Sequence, residues 1–506
     1  MLKNNVKIAH FVLVMSLLNF LFFHYPFYGF VFHNVDYKSG NGILLISSLL
    51  ILMLVLNAFV FYLIFFLSRY VGKFLLVLFF IINAIAVYFI NTYSVIIDES
   101  MIGNVLNTKY EEASSFFSLK LIAYIIFFGV LPAIYIIKVT IINTTWKKFL
   151  ITTSLTLLFI LTLVFANATN VLWIDKNSKT VGGLAMPWSY SVNLSLFYVH
   201  QYKKNEKEIL LPNATLKDNK KSVVVLVIGE SARSKNFSLY GYPKNTNPLL
   251  SKTPNVFHFD ATSCATYTTA GVKGILEYKN TDELYEILPN YLYRNNVEVI
   301  WRTSNWGEPP VHIKNYQKRE NIIPKCKGDD CNYDEALLNG LKEEILASKK
   351  NKILIVLHTS TSHGPTYSKK YPPKFEIFKP VCNSVELGKC SQTELINAYD
   401  NTIVYTDYFL HQVIEDLKQL KEYNSTMIFV SDHGESLGEN NLYMHGLPLS
   451  IAPKEQYEIP FIVWVSDSSQ QLKPNKIVSQ NHVFHSVLYF LGIQSPIYNE
   501  EMNIFK

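Results

Sequence analysis

Five long apolar segments fill the first third of the 506-residue chain and constrain its fold more than any other feature. They comprise residues 8–30, 43–67, 74–90, 121–137 and 149–166. Each holds about 17 to 25 residues, enough for an α-helix to cross a hydrocarbon core about 30 Å thick. The sequence therefore predicts a transmembrane domain of five helices over residues 1–166.

Basic residues beside these segments predict their orientation. Lys7 precedes the first segment, and Arg69 and Lys73 separate the second from the third. Lys147 and Lys148 separate the fourth from the fifth. Because basic loops stay on the cytoplasmic side, five spans that start inside place the rest of the chain in the periplasm or outside. The net charge of +6 is spread along the chain and carries no nucleic-acid footprint.

The five cysteines all follow the last apolar segment, as expected for an exported domain. Two close pairs, Cys326 with Cys331 and Cys382 with Cys390, predict disulfide-closed loops. The alternative, a cysteine-rich zinc site, lacks the short C-x-x-C spacing. Cys264 is left over, and is either free and buried or paired with another molecule.

The polar remainder of the chain has the pattern of an α/β domain. Short apolar runs alternate there with helical stretches such as residues 333–349 and 391–421. We expect this domain to occupy residues 221–506. Residues 167–220 form a connector whose aromatic residues lie either at the membrane interface or in the core of the soluble domain.

Three apolar runs of this domain end in residues that bind metals. Residues 223–229 lead into Glu230, residues 353–357 into His358, and residues 427–430 into Asp432 and His433. Ligands collect at the carboxyl ends of strands in open α/β sheets, and carboxylates and imidazoles suit a divalent metal. Alone, the Asp-His pair could equally belong to a loop that caps a helix.

A hydroxyl-rich stretch offers a nucleophile for such a site. Residues 263–271 contain Thr266, Thr268 and Thr269 ahead of a predicted helix, whose N-terminus would favour a phosphate anion. Coordination to a divalent cation lowers the pKa of a hydroxyl and makes it an effective nucleophile. Considered alone, the stretch also fits an ordinary loop or helix cap.

Together these motifs give the chain a close resemblance to the phosphoethanolamine transferases of Gram-negative inner membranes, the group that includes the mobile colistin-resistance enzymes. The resemblance spans nearly the whole chain. It rests on GESAR at 229–233, NFSLYGYP at 236–243, SHGP at 362–365, SDHGESLGEN at 431–440 and YMHG at 443–446. It implies five membrane helices and a periplasmic α/β domain of the alkaline phosphatase/sulfatase type.

The resemblance also assigns roles within the site. Glu230, Asp432 and His433 correspond to zinc ligands, and a threonine completes the set. The family's nucleophile stands four residues after the cysteine equivalent to Cys264, which selects Thr268 and leaves Thr266 and Thr269 as alternatives. One tight zinc ion, with or without a second, is expected.

Further residues correspond to the family's substrate contacts. His363 and His445 correspond to a pair that receives the transferred phosphate or a second zinc, and His358 belongs either to that group or to the strand end alone. Asn104, Thr108 and Glu112 recur at helical spacing and correspond to contacts with the ethanolamine head group. The alternative for these three is a solvated helix face.

Two departures from the family pattern stand out. Relatives pair the equivalent of Cys264 with a cysteine ten residues later, where this chain has Gly274. Residues 301–308 begin like the family's acceptor motif and then diverge, so acceptor contacts are not carried over from it.

The resemblance implies a monomeric, multi-pass inner-membrane enzyme with its catalytic domain in the periplasm. Its reaction would move phosphoethanolamine from phosphatidylethanolamine to lipid A, core oligosaccharide or another surface structure, through a zinc-activated threonine that carries the group covalently. The alternatives are a phosphoglycerol transferase that uses phosphatidylglycerol, and a catalytically silent membrane protein that binds lipid.

Overall fold

A computed structural model of the chain describes residues 5–108, 113–114, 116–204, 208–326, 328–384, 387–473 and 477–506. The chain divides into two compact units, Met1–His200 and Gln201–Lys506.

The first unit is helical, and four of its helices are long and apolar enough to cross a membrane. Its helices run Ile8–Phe23, Tyr25–Asn34, Gly40–Leu67, Arg69–Tyr93, Glu99–Asn107, Leu119–Lys138, Trp146–Ala166, Val171–Gly183 and Trp188–Lys204. The four candidate spans are Gly40–Leu67, Arg69–Tyr93, Leu119–Lys138 and Trp146–Ala166. In the first unit, strand Asn5–Lys7 also pairs in parallel with strand Thr140–Ile142.

The first predicted span is broken in two. Helices Ile8–Phe23 and Tyr25–Asn34 meet at an angle of 65°, and together they make a fifth candidate span. The break follows from Pro26, since proline has no backbone N–H to donate to the preceding turn of a continuous helix. The apolar pattern alone could not predict this bend.

Buried asparagines join the helices of the first unit. Asn83 Nδ2 donates to Asn19 Oδ1 over 2.7 Å, and Tyr190 OH donates to Asn83 Oδ1 over 2.9 Å. Trp188 Nε1 donates to Asn57 Oδ1 over 2.8 Å. Interhelical hydrogen bonds of this kind tie helices together within an apolar interior. Trp188 and Tyr190 therefore pack into the helical bundle.

An eight-stranded sheet forms the centre of the second unit. Its strands in chain order are β1 Ser222–Gly229, β2 Val256–Thr262, β3 Glu298–Thr303, β4 Asn315–Lys318, β5 Lys352–His358, β6 Asn424–Ser431, β7 Glu458–Val465 and β8 Val478–Ser479. Their spatial order is β8-β2-β7-β6-β1-β5-β3-β4. Strand β7 alone among these eight runs antiparallel to its neighbours.

The central strands are apolar because both of their faces are covered. Every residue of β1 and of β5 is buried, which is typical of parallel strands between packed layers. Since β1, β3, β5 and β6 are parallel, their carboxyl ends open at one edge of the sheet. The fold therefore brings the residues that follow these strands to a common edge.

The helices of the second unit are mostly short. They run Thr268–Leu276, Leu288–Arg294, Arg319–Ile322, Leu341–Ala347, Gln392–Lys418 and His482–Phe490. The predicted helix over 391–421 is present, and Ser391 and Glu394 form a capping box at its start. The predicted helix over 333–349 is interrupted, because Gly340 adopts φ +65° and separates a 3₁₀ turn from Leu341–Ala347.

Two further short pairs of strands complete the unit: Ser436–Leu437 with Tyr443–Met444, and Thr215–Leu216 with Ile493–Gln494. Both disulfides predicted from the cysteine spacing are present, Cys326–Cys331 and Cys382–Cys390.

Candidate active site

Two neighbouring strands deliver the carboxylates of the site. Glu230 follows β1 and Asp432 follows β6, and these strands pair in parallel with Gly229 opposite Ser431. The two acidic side chains therefore leave the sheet side by side. The strand ends that the sequence identified do meet at one edge.

The donor atoms of the site lie within contact of one another. His433 Nε2 is 3.4 Å from Glu230 Oε1 and 3.4 Å from Asp432 Oδ2. Thr268 Oγ1 is 3.3 Å from His433 Nε2 and 3.5 Å from Glu230 Oε2. All four side chains are buried. This group combines two carboxylates, an imidazole and a hydroxyl.

The Thr268 hydroxyl reaches the group because its helix packs directly against β6. Thr268 is the first residue of helix Thr268–Leu276. A Cβ added at Gly271, one turn later, would lie 2.1 Å from the Asp432 carbonyl oxygen, so only glycine allows this approach. The Thr266 hydroxyl instead donates to the Leu447 carbonyl. Of these two threonines, Thr268 is the one that faces the carboxylates.

The turn after β1 is held in an uncommon conformation. Ser231 has φ +51°, which costs a non-glycine residue roughly 1–3 kcal/mol. Its N–H donates to Asp432 Oδ1 over 3.1 Å, and its hydroxyl donates to Glu230 Oε1 over 2.7 Å. These bonds offset the strain and fix both carboxylates.

The charges of the group interact strongly. Burial disfavours a charge on Glu230, but the hydrogen bond and charge of His433 hold the pKa of Glu230 well below its usual value. Burial, followed by the charge of Glu230, raises the pKa of Asp432 to about 7. Burial opposes a charge on His433, yet Asp432 and Glu230 raise its pKa to about 10. A proton on His433 must therefore leave before this imidazole can bind a cation.

The group fits a zinc ion by its chemistry. Zinc sites in proteins are built from imidazole nitrogen and carboxylate oxygen, often with a fourth oxygen ligand. Glu230, Asp432 and His433 each offer one donor atom, and these atoms all lie within 4.8 Å of one another. Asp432 Oδ2 is buried and accepts no hydrogen bond from any residue that the structure describes. A bound cation would satisfy this oxygen.

A second group of side chains adjoins the first. The His445 ring centroid lies 4.2 Å from that of His433 and 5.4 Å from that of His363. His445 Nδ1 is 2.7 Å from Glu435 Oε2, and Tyr367 OH donates to the other oxygen of this carboxylate. Both histidines of the predicted pair therefore lie beside the donor group.

Glu435 is a site residue to which the sequence analysis gave no role. It is fully buried and orients His445. Its place in the motif at 431–440, two residues after His433, was the sequence signal that could have found it.

Asn305 is a second residue that sequence reasoning missed. Its Nδ2 donates to Glu230 Oε2 over 2.6 Å and to the Thr359 carbonyl over 3.0 Å. Asn305 follows β3, another strand that opens at the same edge. It lies in the stretch 301–308, where the resemblance to the family weakens, so the motif gave no signal for it.

His358 lies at the end of β5 but outside the donor group of Glu230, Asp432 and His433. It is fully buried, and its Nδ1 is 3.6 Å from Glu308 Oε2. Neither of its ring nitrogens hydrogen-bonds to a residue in the described part of the chain.

The predicted head-group residues belong to the first unit. Asn104 lies in helix Glu99–Asn107, which ends one residue before Thr108. The Thr108 hydroxyl donates to the Asn104 carbonyl over 2.7 Å, and Thr108 N donates to the same carbonyl over 2.9 Å. The two residues therefore lie one turn apart at the end of this helix. Glu112 lies outside the described residues.

Cys264 is a free thiol, and its sulfur lies next to Gly274, the position where the family resemblance implies a partner cysteine. A Cβ added at Gly274 would lie 2.4 Å from Cys264 Sγ. Burial raises the pKa of this thiol to about 11, so it is not a nucleophile at neutral pH.

Two family models match the chain. A model for the phosphoethanolamine transferases EptA/EptB matches residues 52–202, and the sulfatase model matches residues 222–493. The two matches fall on the two structural units.

Similar proteins cover nearly the whole chain. The phosphoethanolamine transferase EptA of Helicobacter pylori is 40% identical over 507 residues, which cover 98% of this chain and 96% of the relative. The phosphatidylethanolamine transferase Mcr-1 of Escherichia coli is 32% identical over 462 residues, which cover 85% of this chain and 83% of the relative.

A solved structure has the same architecture. The integral membrane protein lipooligosaccharide phosphoethanolamine transferase A (EptA) from Neisseria meningitidis superposes with a TM-score of 0.88 at 27% identity, covering 99% of both chains.

Proposed function

The chain belongs to the phosphoethanolamine transferase family, and on this premise we propose that it transfers phosphoethanolamine from phosphatidylethanolamine to lipid A through Thr268. One similar protein is a phosphatidylethanolamine transferase, and another is a lipooligosaccharide phosphoethanolamine transferase. The donor and the lipid A acceptor are assigned on this basis.

One observation supports the choice of nucleophile most directly. The Thr268 hydroxyl lies 3.3 Å from His433 Nε2 and 3.5 Å from Glu230 Oε2, at the N-terminus of a helix. The amides of a helix N-terminus favour an anion, and a phosphate diester brings one. A hydroxyl in this position lies beside the proposed metal ligands and at the end of the helix where the phosphate would bind.

Zinc is the metal that the donor set favours. We assign Glu230, Thr268, Asp432 and His433 as the residues that would hold one ion. When bound, zinc lowers the pKa of a coordinated hydroxyl and offsets negative charge on the phosphoryl oxygens. Hydrogen bonds from the protein also hold the carboxylates in place: Ser231 N donates to Asp432, and Asn305 Nδ2 donates to Glu230.

The reaction has two steps. Thr268 Oγ1 forms a bond to phosphorus, the bond from phosphorus to the glycerol oxygen breaks, and the hydroxyl proton is released to solvent or a neighbouring base. Glu435 holds Nδ1 of His445, which leaves Nε2 of that ring to give a proton to the departing diacylglycerol. An acceptor hydroxyl of lipid A then attacks phosphorus and gives its proton to Nε2 of His445. The bond from phosphorus to Thr268 Oγ1 breaks, and Thr268 Oγ1 takes up a proton from solvent.

The location follows from the substrates and the apolar helices. We propose that the bent pair Ile8–Phe23 and Tyr25–Asn34 makes one span, which gives five in all. The second unit would then face the periplasm from the inner membrane, where both lipids are present. The chain would act as a monomer.

The test presents the purified full chain with lipid A and either phosphatidylethanolamine or phosphatidylglycerol in vesicles. Mass spectrometry of the lipids should show lipid A heavier by one phosphoethanolamine with the first donor, and unchanged lipid A with the second. A glycerophosphate adduct on lipid A would instead identify a phosphoglycerol transferase. Unchanged lipid A with both donors would contradict the proposed acceptor.

A further inference from the structure

The loop that follows His445 carries an apolar tip close to the site. Residues 447–453 read Leu-Pro-Leu-Ser-Ile-Ala-Pro and contain no charged side chain. Leu449 is 46% exposed and Ile451 is 47% exposed, so two large apolar side chains stand in solvent within three residues. Single exposed apolar residues are ordinary, whereas two of them on one uncharged tip form a small apolar patch.

The base of this loop is fixed to the site. Gly446 N donates to the Thr266 carbonyl over 2.8 Å, and the Thr266 hydroxyl donates back to the Leu447 carbonyl. The buried side chain of Gln456 accepts from Leu447 N over 3.2 Å. The loop thus starts from the segment that carries Thr268.

The tip itself is a tight turn. The N–H groups of Ile451 and Ala452 both donate to the Pro448 carbonyl over 2.9 Å. Pro448 and Pro453 bracket the turn and limit its backbone freedom. Its apolar side chains are therefore presented in an ordered conformation, which lowers the entropic cost of burying them.

Two other exposed apolar residues of the second unit, Leu346 and Ile377, lie among charges. Leu346 is 57% exposed on helix Leu341–Ala347, which also carries Lys342, Glu343 and Glu344. Ile377 is 58% exposed and follows Glu376, which pairs with Lys379 over 3.6 Å. These two positions are ordinary solvated surface, and they provide matched controls.

A charge borders the apolar tip on one side. Lys454 follows Pro453, and its side chain is 61% exposed, with Nζ 3.6 Å from Glu458 Oε2. In a lipid bilayer the acyl chains lie beneath anionic head groups. An apolar tip beside an exposed lysine is complementary to this arrangement.

We propose that residues 448–452 insert into a lipid bilayer, with Leu449 and Ile451 among the acyl chains and Lys454 at the phosphates. The inference rests on the proposed function, since the head group of a lipid donor must reach Thr268. The loop would place the entrance of the site at the bilayer surface, so that the head group reaches the nucleophile while its chains stay in the membrane.

Fluorescence quenching in the reconstituted full chain tests the insertion directly. Ile451→Cys, in a Cys264→Ala background, is labelled with a nitrobenzoxadiazole probe and placed in vesicles of phosphatidylethanolamine and phosphatidylglycerol. We expect quenching by lipids with a spin label on the acyl chain and loss of quenching by aqueous iodide. The matched control, Leu346→Cys, should show the reverse. Equal iodide quenching at both positions, or acyl-chain quenching at both, would overturn the proposal.

Turnover gives a second measurement that does not depend on labelling. Leu449→Ser with Ile451→Ser should slow formation of the phosphoethanolamine adduct from vesicle phosphatidylethanolamine about tenfold, since two half-exposed apolar side chains lose their contact with lipid. The rate with water-soluble dihexanoyl phosphatidylethanolamine should not change. Leu346→Ser with Ile377→Ser should leave both rates at the wild-type value.

Equal rates of the loop variant and wild type on vesicle lipid, or equal losses on both donors, would contradict insertion. If wild type itself forms no adduct, the proposed function fails, and the quenching measurement still decides whether the loop enters the bilayer.

Discussion

Thr268 Oγ1 and His433 Nε2 lie 3.3 Å apart although 165 positions separate them in the chain. The contact exists because helix Thr268–Leu276 starts at the sheet edge where β6 ends. Gly271 permits the close approach that brings the two together. The first threonine of a helix thereby becomes a neighbour of the loop that follows β6.

Replacing Gly271 with alanine should separate these two residues. The new Cβ would lie 2.1 Å from the Asp432 carbonyl oxygen, which is backbone and cannot move aside alone. We expect helix Thr268–Leu276 to shift, at a cost of about 1–3 kcal/mol in stability. Misplacing a nucleophile by about 1 Å can lower turnover by about 100-fold, and transfer to lipid A measures this loss.

Gly388→Ala is the control for this substitution. A Cβ at Gly388 would meet Tyr443 at 3.7 Å, an ordinary contact, and turnover should stay at the wild-type level. Wild-type turnover of Gly271→Ala would show that the close approach of helix and strand is not needed.

Replacing Asn305 with alanine should weaken metal binding. Asn305 Nδ2 donates to Glu230 Oε2 over 2.6 Å and holds this carboxylate in place. Loss of a partner that orients a ligand typically lowers metal affinity by about 10- to 100-fold. Competition with a chromophoric zinc chelator measures the affinity, and the exposed Asn219→Ala is the control. Unchanged affinity would mean that Glu230 is positioned without Asn305.

Replacing Gly274 with cysteine should create a third disulfide. Its Cβ would lie 2.4 Å from Cys264 Sγ, and a small rotation of that thiol would allow the bond. Closing a loop of this size stabilises a protein by about 2–3 kcal/mol. We expect the loss of the one titratable thiol and a higher unfolding midpoint without reductant. Two titratable thiols in the variant would contradict the expected geometry.

Stability of the second unit should depend on pH through Asp407. Burial raises the pKa of this carboxyl to about 7, although it accepts N–H groups of Leu249 and Leu250 over 2.9 Å and 3.1 Å. Between about pH 4 and pH 7, Asp407 is protonated in the folded state and ionised in the unfolded state. Stability should therefore fall as pH rises through this window and stay lower above it.

An asparagine at position 407 does not titrate. The unfolding free energy of Asp407→Asn should therefore vary less with pH than that of wild type. The difference in unfolding free energy between variant and wild type should grow by about 2–4 kcal/mol from pH 4 to pH 8. Urea unfolding of both full chains in detergent measures it. A constant difference across this range would show that Asp407 does not titrate on folding.

The sequence predicted those parts of the molecule that follow from local pattern. Four of the five apolar segments form single candidate spans. The strands that Glu230 and Asp432 follow and the capped helix at Ser391 are present, because each depends on a few adjacent residues. The family resemblance is confirmed by the relatives that cover the chain.

The remainder depended on contacts between distant residues or on single backbone positions. The bend at Pro26 and the break at Gly340 each arise from one residue within an otherwise regular pattern. Asn305 reaches Glu230 only because β3 and β1 flank β5 in the sheet, an order that the chain sequence does not contain. Such residues become visible only once the sheet is assembled.

Peptide mass spectrometry of the protein after reaction with phosphatidylethanolamine alone identifies the residue that carries phosphoethanolamine. Without an acceptor, the phosphoethanolamine adduct should accumulate on Thr268, and Thr268→Ala should abolish it while Thr266→Ala retains it. An adduct on Thr266 or Thr269, or full transfer to lipid A by Thr268→Ala, would show that Thr268 is not the nucleophile.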